Sequence, residues 1–279
     1  MIAHFGTGLM GAGFVRAALK RGETVHVWNR SPEKARALEA DGAKAFSDAA
    51  QAARGATQIH LTLSDDSAVD SVLDAIAGSL DPNVSILDHT TTAPTPTAQR
   101  YARLSERGIF FAHVPMFMGP SNALASTGLM LVSGPEARLA RVRPLIKPIT
   151  GKLLEVGSGD DRAAAFKLFG NMMLFFITSG LADVYKFAAS LGISAIDAHA
   201  LFADFKPAGL IDARGKNMAE GNFAAAFELV MARKDVRLVL EEAARHDTQL
   251  SVLPQIAALF DRGIAAGRGA DDMGVIAAM

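Results

Sequence analysis

The first half of the sequence predicts an α/β fold, a mostly parallel sheet wound with helices on both faces. Two observations predict it. Short apolar runs alternate with amphipathic or alanine-rich runs, and strand-helix-strand repetition implies parallel strands joined by crossover helices. Beyond about Gly159 the strands give way to long helical patterns, so an all-α second domain follows.

The elements can be justified in order. Ile2, Ala3 and Phe5 read as a short buried strand, and the stretch after it opens a helix over 11–21. A second strand spans 24–28, and Ser31 before Pro32 starts the next helix as N-cap and first-turn residue. Further strands fall at 58–63, 84–88, 109–115 and 129–133, with helical stretches at 32–41, 67–80 and 95–107. The second half reads as helices over 162–191, 195–203, 208–218, 225–246 and 254–266. We divide the chain into residues 1–160 and 161–279, joined by the long helix.

Composition excludes several function classes. With 28 basic and 29 acidic residues the formal charge of the 279-residue chain is -1, which gives no general attraction to nucleic acid or an anionic membrane. The expected partner is a small molecule. No cysteine is present, so disulfides, thiolate nucleophiles and zinc-thiolate sites are excluded. The seven histidines show no paired metal-ligand spacing, so no metal is expected and they read as core or surface groups, although His89 and His113 flank candidate site segments and could touch a substrate. No secretory leader pattern precedes the first strand, so the expected compartment is the cytoplasm.

The most apolar run, "LFGNMMLFFITSGLA" over 168–182, is shorter than the ~18 residues of a membrane-spanning helix and holds Gly170, Asn171 and Gly180. It predicts a buried interdomain or dimer-core helix, and hence a homodimer or dimer-based oligomer.

Gly6, Gly8 and Gly11 fall at the spacing G-x-G-x-x-G in "GTGLMG", with Thr7, Leu9 and Met10 between them. Alone that spacing is weak. Between a strand and a helix, and followed by a second strand, it predicts a Rossmann-type dinucleotide cradle. Gly6 permits the tight turn, Gly8 the approach of a pyrophosphate, and Gly11 close helix-strand packing. The free N–H groups of the helix N-terminus hold the anion without a lysine.

The end of the second strand selects the dinucleotide. An acidic residue there would bind ribose hydroxyls, but "VWNRSPEK" carries Asn29, Arg30 and Ser31, with Lys34 a turn later. Asn29 lacks the charge that would repel a 2'-phosphate, and Arg30 can pair with it. The expected cofactor is NADP, with NAD as a second choice.

Further stretches resemble, in order, signatures of the β-hydroxyacid dehydrogenase family, relatives of 6-phosphogluconate and 3-hydroxyisobutyrate dehydrogenases. "GTGLMG" is similar to its G-x-G-x-M-G, and "DHTTTAP" at 88–94 to its D-x-S-T-x-x-P, with Thr90 where serine is usual. "GSGDDRAAAFKLFGN" at 157–171 resembles the lysine-asparagine segment, with Gly170 in place of the first asparagine. "RKDVRLVLEEA" at 233–243 is similar to its K-D-L-x-x-A motif. The resemblance covers nearly the whole chain. It implies cofactor contacts at Leu63, Thr90 and Lys234, with the Thr90 hydroxyl near the nicotinamide or the substrate and Asp235 positioning that lysine or capping local structure, and catalytic roles for Lys167 and Asn171.

One signature departs. Where the family carries D-A-P-V-S-G-G, whose serine and glycines receive a substrate carboxylate, this chain has "HVPMFMG", with Met116, Phe117, Met118 and Gly119 as the expected substrate wall. Phe117 and Met118 remove a hydroxyl donor and add apolar surface; backbone N–H groups are left to bind an anion.

Lys167 and Asn171 are four residues apart, on one helix face, and can converge on one substrate oxygen. Apolar neighbours in "AAAFKLFG" lower the proton affinity of the lysine and suit it to proton exchange near neutrality. The expected activity is therefore hydride transfer between a nicotinamide and a small hydroxyacid, semialdehyde or related carbonyl. Two alternatives stand beside it. An imine reductase of the related fold typically has an acidic residue or tyrosine at the lysine position. A non-catalytic nucleotide-binding scaffold would have lost the lysine.

Overall fold

The computed structural model describes all 279 residues, which form two compact units, Met1–Asn171 and Met172–Met279. The first begins with β1 (Ile2–Phe5), α1 (Leu9–Lys20), β2 (Val25–Trp28), α2 (Pro32–Arg36), β3 (Lys44–Phe46) and α3 (Ala49–Ala53). It continues through β4 (Gln58–Leu61), α4 (Asp66–Ile76), β5 (Ser85–Asp88), α5 (Pro94–Glu106) and β6 (Phe110–His113). After these come β7 (Met116–Phe117), α6 (Pro120–Ala125), β8 (Leu129–Val132), α7 (Glu136–Ile146) and β9 (Lys152–Glu155).

The first six strands make one sheet in the order β3-β2-β1-β4-β5-β6, with every pair parallel. The remaining strands make a smaller sheet, β7-β8-β9, in which β7 runs antiparallel to β8. Three of the strands, β3, β7 and β9, escape the sequence reading: β3 and β9 are three or four residues long and each carries a lysine, and β7 has two residues, too few to show a pattern.

Side-chain alternation sorts the core onto two faces. Phe5, Ile59, Leu61, Ile86 and Phe111 pack under α3, α4 and α5 with Val69, Leu73, Tyr101 and Leu104. The opposite face carries Ile2, Val25, Val27, Leu87 and Ala112 against α1, α6 and α7. His4 and His60, paired in register across β1 and β4, alternate onto this second face and line a cavity of about 260 Å³ with Phe14 and Ala18 of α1.

Helix α8 (Arg162–Ser190) contains the boundary between the units. The second unit continues with α9 (Ala195–Asp204), α10 (Lys216–Ala219), α11 (Leu229–Arg245) and α12 (Leu253–Ala265). Leu229, Ala232 and Val236 of α11 meet Ala257 and Phe260 of α12 over Val275. The helix expected over 208–218 is a wider π-type turn at Ile211–Gly215 followed by α10, and α11 begins at Leu229, after Glu228 has bridged to Asp272. Asp183 of α8 caps the start of α12: its carboxylate accepts from the backbone N–H groups of Ser251 (2.7 Å), Val252 (2.8 Å) and Leu253 (3.0 Å).

The expected burial of α8 does not occur within the chain. Phe169, Phe175 and Phe176 are 57%, 65% and 59% exposed, and 11% of the helix's most apolar window is covered. The helix also exceeds the apolar run read from sequence: at 29 residues it is long and apolar enough to cross a membrane by length and composition alone. The apolar run is bounded by Lys167 and Asp183, and the helix continues through both.

Candidate active site

Strand order reverses between β1 and β4, and the crevice beyond the carboxyl ends of such strands is where an open α/β sheet binds ligands. A cavity of about 440 Å³ lies there, walled by Gly6 and Gly8 after β1, Trp28 to Ser31 after β2, and Thr62 to Ser64 after β4. Lys34 lines it too, as do Ser67, Ala68, Ser71 and Val72 of α4.

The glycine loop is built as its spacing predicts. Gly6 has φ +91°, and a side chain there would strike the Thr62 carbonyl at 2.1 Å. A Cβ at Gly11 would lie 1.9 Å from the Gly6 carbonyl, so α1 can approach the loop closely only without one. Gly8 differs: a Cβ there would meet nothing within 4 Å and would project into open space. Gly8 is also the N-cap of α1 and supplies no side-chain cap, which leaves first-turn N–H groups for a ligand. Thr7 Oγ1 is buried without a partner. An uncapped helix start, an orphaned hydroxyl and an open cradle together fit a bound dinucleotide phosphate.

Asn29 is committed within the protein. Its Oδ1 accepts from the Thr7 N–H at 2.9 Å and its Nδ2 donates to the Ser31 carbonyl at 3.0 Å, so it ties the loop to the end of β2. Arg30 and Lys34 form no ion pair, and no acidic residue lines the cavity. Leu63 lines it, and its N–H donates to Thr90 Oγ1 at 3.0 Å. Thr90 is buried, and its own N–H donates to Asp88. Leu9 is exposed, and Met10 packs against the core beneath α6. The lining of α4 was missed by sequence reading, although Ser64, Ser67 and Ser71 recur at helical spacing on one face.

Lys167, Phe117 and Gly170 meet in the first unit. The Lys167 side chain is 9% exposed, makes no hydrogen bond or ion pair, and holds Nζ over the Phe117 ring, 4.1 Å from its centroid. Burial lowers its proton affinity below the ordinary lysine value. Asn171 follows one turn later on α8. Met116 is buried on β7, and Met118 packs on Gly128. The Gly119 N–H expected to bind an anion instead donates to Asn122 Oδ1 at 3.0 Å, because Asn122 lies in the first turn of α6. Lys234 lies on α11 and pairs with its neighbour Asp235 at 2.9 Å.

His89 and His113 take the core position expected of the histidines. Both are buried; His89 Nδ1 donates to the Val114 carbonyl, and His113 Nδ1 lies 3.2 Å from Asp88 Oδ2. The strands that carry these segments to the crevice turn both rings into the interior.

Residues 1–157 match the family model for the NAD-binding domain of 6-phosphogluconate dehydrogenase, and 162–279 match that for the NAD-binding domain of NADP-dependent 3-hydroxyisobutyrate dehydrogenase. The chain belongs to the β-hydroxyacid dehydrogenase family. Among its relatives is 2-(hydroxymethyl)glutarate dehydrogenase of Eubacterium barkeri, 25% identical across 99% of this chain and 93% of the relative. An uncharacterized oxidoreductase of Bacillus subtilis, YfjR, is 25% identical across 96% of this chain and 95% of its own length. In fold this β-hydroxyacid dehydrogenase family member is similar to the imine reductase of Myxococcus stipitatus solved with NADP+, with a TM-score of 0.91, 18% identity and coverage of 99% and 98% of the two chains. The protein is an NAD(P)-dependent oxidoreductase.

Proposed function

We propose that this oxidoreductase prefers NADP and interconverts a small hydroxyacid, semialdehyde or related carbonyl compound with its reduced or oxidised partner, with Lys167 as general acid and base. The observation that carries this reading is the buried, unpaired Lys167 amine, which burial brings closer to proton exchange at neutral pH. Arg30 and Lys34, at a cavity free of acidic groups, support the choice of a 2'-phosphorylated dinucleotide.

A bound dinucleotide supplies or accepts the hydride. In reduction Lys167 Nζ gives its proton to the substrate oxygen as charge develops there; in oxidation it takes the hydroxyl proton back. Asn171, one helical turn on, offers its amide to the same oxygen. The Gly6–Gly11 turn and the α1 N-terminus would hold the pyrophosphate, and Leu63 and Thr90 complete the cofactor side. Met116, Phe117, Met118 and Gly119 form the substrate wall.

A second reading, imine reduction, is favoured by one observation: Phe117 gives that wall an aromatic ring and no hydroxyl. A panel assay of NADPH absorbance with short aldehydes, 3-hydroxy and 2-keto acids and cyclic imines separates the two. Carbonyl or hydroxyacid turnover that falls by about 10²- to 10⁴-fold in Lys167→Ala is expected. Imine turnover that survives the substitution overturns the lysine acid/base reading.

The exposed apolar face of α8 supports pairing with a second copy of the chain. Light scattering at micromolar concentration is expected to give twice the chain mass; a monomer mass would sink the dimer.

A further inference from the structure

Two of the positions at which this chain leaves the pattern it resembles, Phe117 and Gly170, lie 53 residues apart in sequence and touch in space. A Cβ at Gly170 would fall 2.2 Å from Phe117 Cζ and 2.6 Å from Cε1, so the ring edge occupies the notch that the missing side chain leaves on α8. The same ring presents a face to Lys167 Nζ at 4.1 Å. One aromatic side chain therefore bridges the bare backbone of α8 and an amine one turn earlier on that helix.

We propose that Phe117 is the positioning residue for Lys167: locked against Gly170, its ring face holds the amine in place and favours its protonated form. The inference rests on the acid/base role proposed for Lys167. An ammonium over an aromatic face is attracted by the ring's quadrupole, and the attraction grows where water is excluded. The surroundings offer the amine no competing charge. Around Phe117 lie Leu129, Leu131, Val156, Ala163 and Phe166, all apolar. Asp160 is engaged by Arg138, and Arg162 donates to the Val156 carbonyl at 2.6 Å. Burial pulls the proton off Lys167 and the ring pulls it back, so the pair tunes the amine without a carboxylate that would fix the proton permanently. Any side chain at position 170 would displace the ring, which gives Gly170 a role that its sequence position does not reveal.

The test reads the amine itself and needs no substrate. The full chain is labelled with trace acetic anhydride across a pH series, and modification at Lys167 is followed by peptide mass spectrometry. In Phe117→Leu, which keeps an apolar cover but loses the ring, the titration midpoint is expected to fall by about 0.4 to 1.5 pH units, the equivalent of one cation–π contact. Phe117→Tyr retains a ring and should keep the wild-type midpoint. Gly170→Ala should lower it like Phe117→Leu, and adding it to Phe117→Leu should lower it no further.

A midpoint in Phe117→Leu equal to or above that of wild type overturns the proposal; if that variant does not fold, Gly170→Ala carries the same decision. Turnover retained in Lys167→Ala, alongside a lowered midpoint in Phe117→Leu, would sink the acid/base reading and leave the positioning intact. Loss of turnover with an unmoved midpoint would do the reverse.

Discussion

His60 Nδ1 lies 2.9 Å from His89 Nε2 in the interior of the parallel sheet, and the direction of that hydrogen bond is fixed by a third group. His89 Nδ1 is 2.8 Å from the Val114 carbonyl, which only accepts, so Nδ1 carries the proton and Nε2 is the acceptor. His60 Nδ1 therefore donates. Both rings are neutral in this arrangement, and His4 stacks on His60 with centroids 6.0 Å apart.

These imidazoles make stability depend on pH. Burial lowers His4 to about 3, His60 well below the ordinary value, and His89 in the same direction; neighbouring imidazoles add to the first two shifts. The unfolded chain takes up protons near 6.5 and the folded one does not, so stability is complete above 6.5 and falls as pH drops below it. Each imidazole that stays neutral costs about 2 kcal/mol of stability between pH 6.5 and pH 5. Carboxylates do not act in this window, since Asp88, Asp183 and Asp272 titrate below 3.8 in the folded state. Urea midpoints at pH 5 and 7 check this; equal midpoints would mean that the rings protonate in the native state.

Gly6 and Gly8 should fail differently. Gly6→Ala forces a side chain at φ +91° into the Thr62 carbonyl and should lower stability by a few kcal/mol, on the order of ~3. Gly8→Ala meets no protein atom, so its melting temperature should stay within ~2 °C of wild type while dinucleotide affinity drops at least about tenfold. Paired thermal melts and NADPH titrations separate the two, and unchanged affinity in Gly8→Ala would remove the loop from the cofactor site.

Arg30→Ala should weaken NADPH binding by about 1.5 to 3 kcal/mol, the value of a charge-assisted hydrogen bond, and leave NADH nearly unaffected. Isothermal titration with both cofactors gives the ratio. An equal loss for both would assign Arg30 to a part of the dinucleotide they share.

Asp183 ties α8 to the start of α12. Burial opposes its ionisation, but three backbone N–H donors outweigh it and hold the carboxyl below the ordinary aspartate range. Asp183→Ala should cost about 1 to 3 kcal/mol near neutral pH. The folded pKa is depressed, so this contribution is present above the unfolded value of 3.8 and is lost as pH falls through the folded one. Guanidinium melts of wild type and variant should therefore draw together as pH falls below 3.8, and a gap that stays constant through the acid range would point to lost packing instead.

The sequence alone determined the features that local pattern carries. Short apolar runs placed β1, β2 and β4, and the glycine spacing marked the turn into α1, because each signal lies within about ten residues of chain. It also put Lys167 and Asn171 on one helix face, since helical geometry repeats every 3.6 residues. Tertiary structure decided what depends on register between distant segments. Asn29 reaches the Thr7 N–H because β1 and β2 pair side by side. His89 meets His60 in the interior because β4 and β5 pair beside each other. The contact of Phe117 with Gly170 and Lys167 required β7 to be brought against the first turns of α8. No single-residue periodicity encodes such a meeting, because it is a property of two surfaces that become neighbours only when the chain has folded.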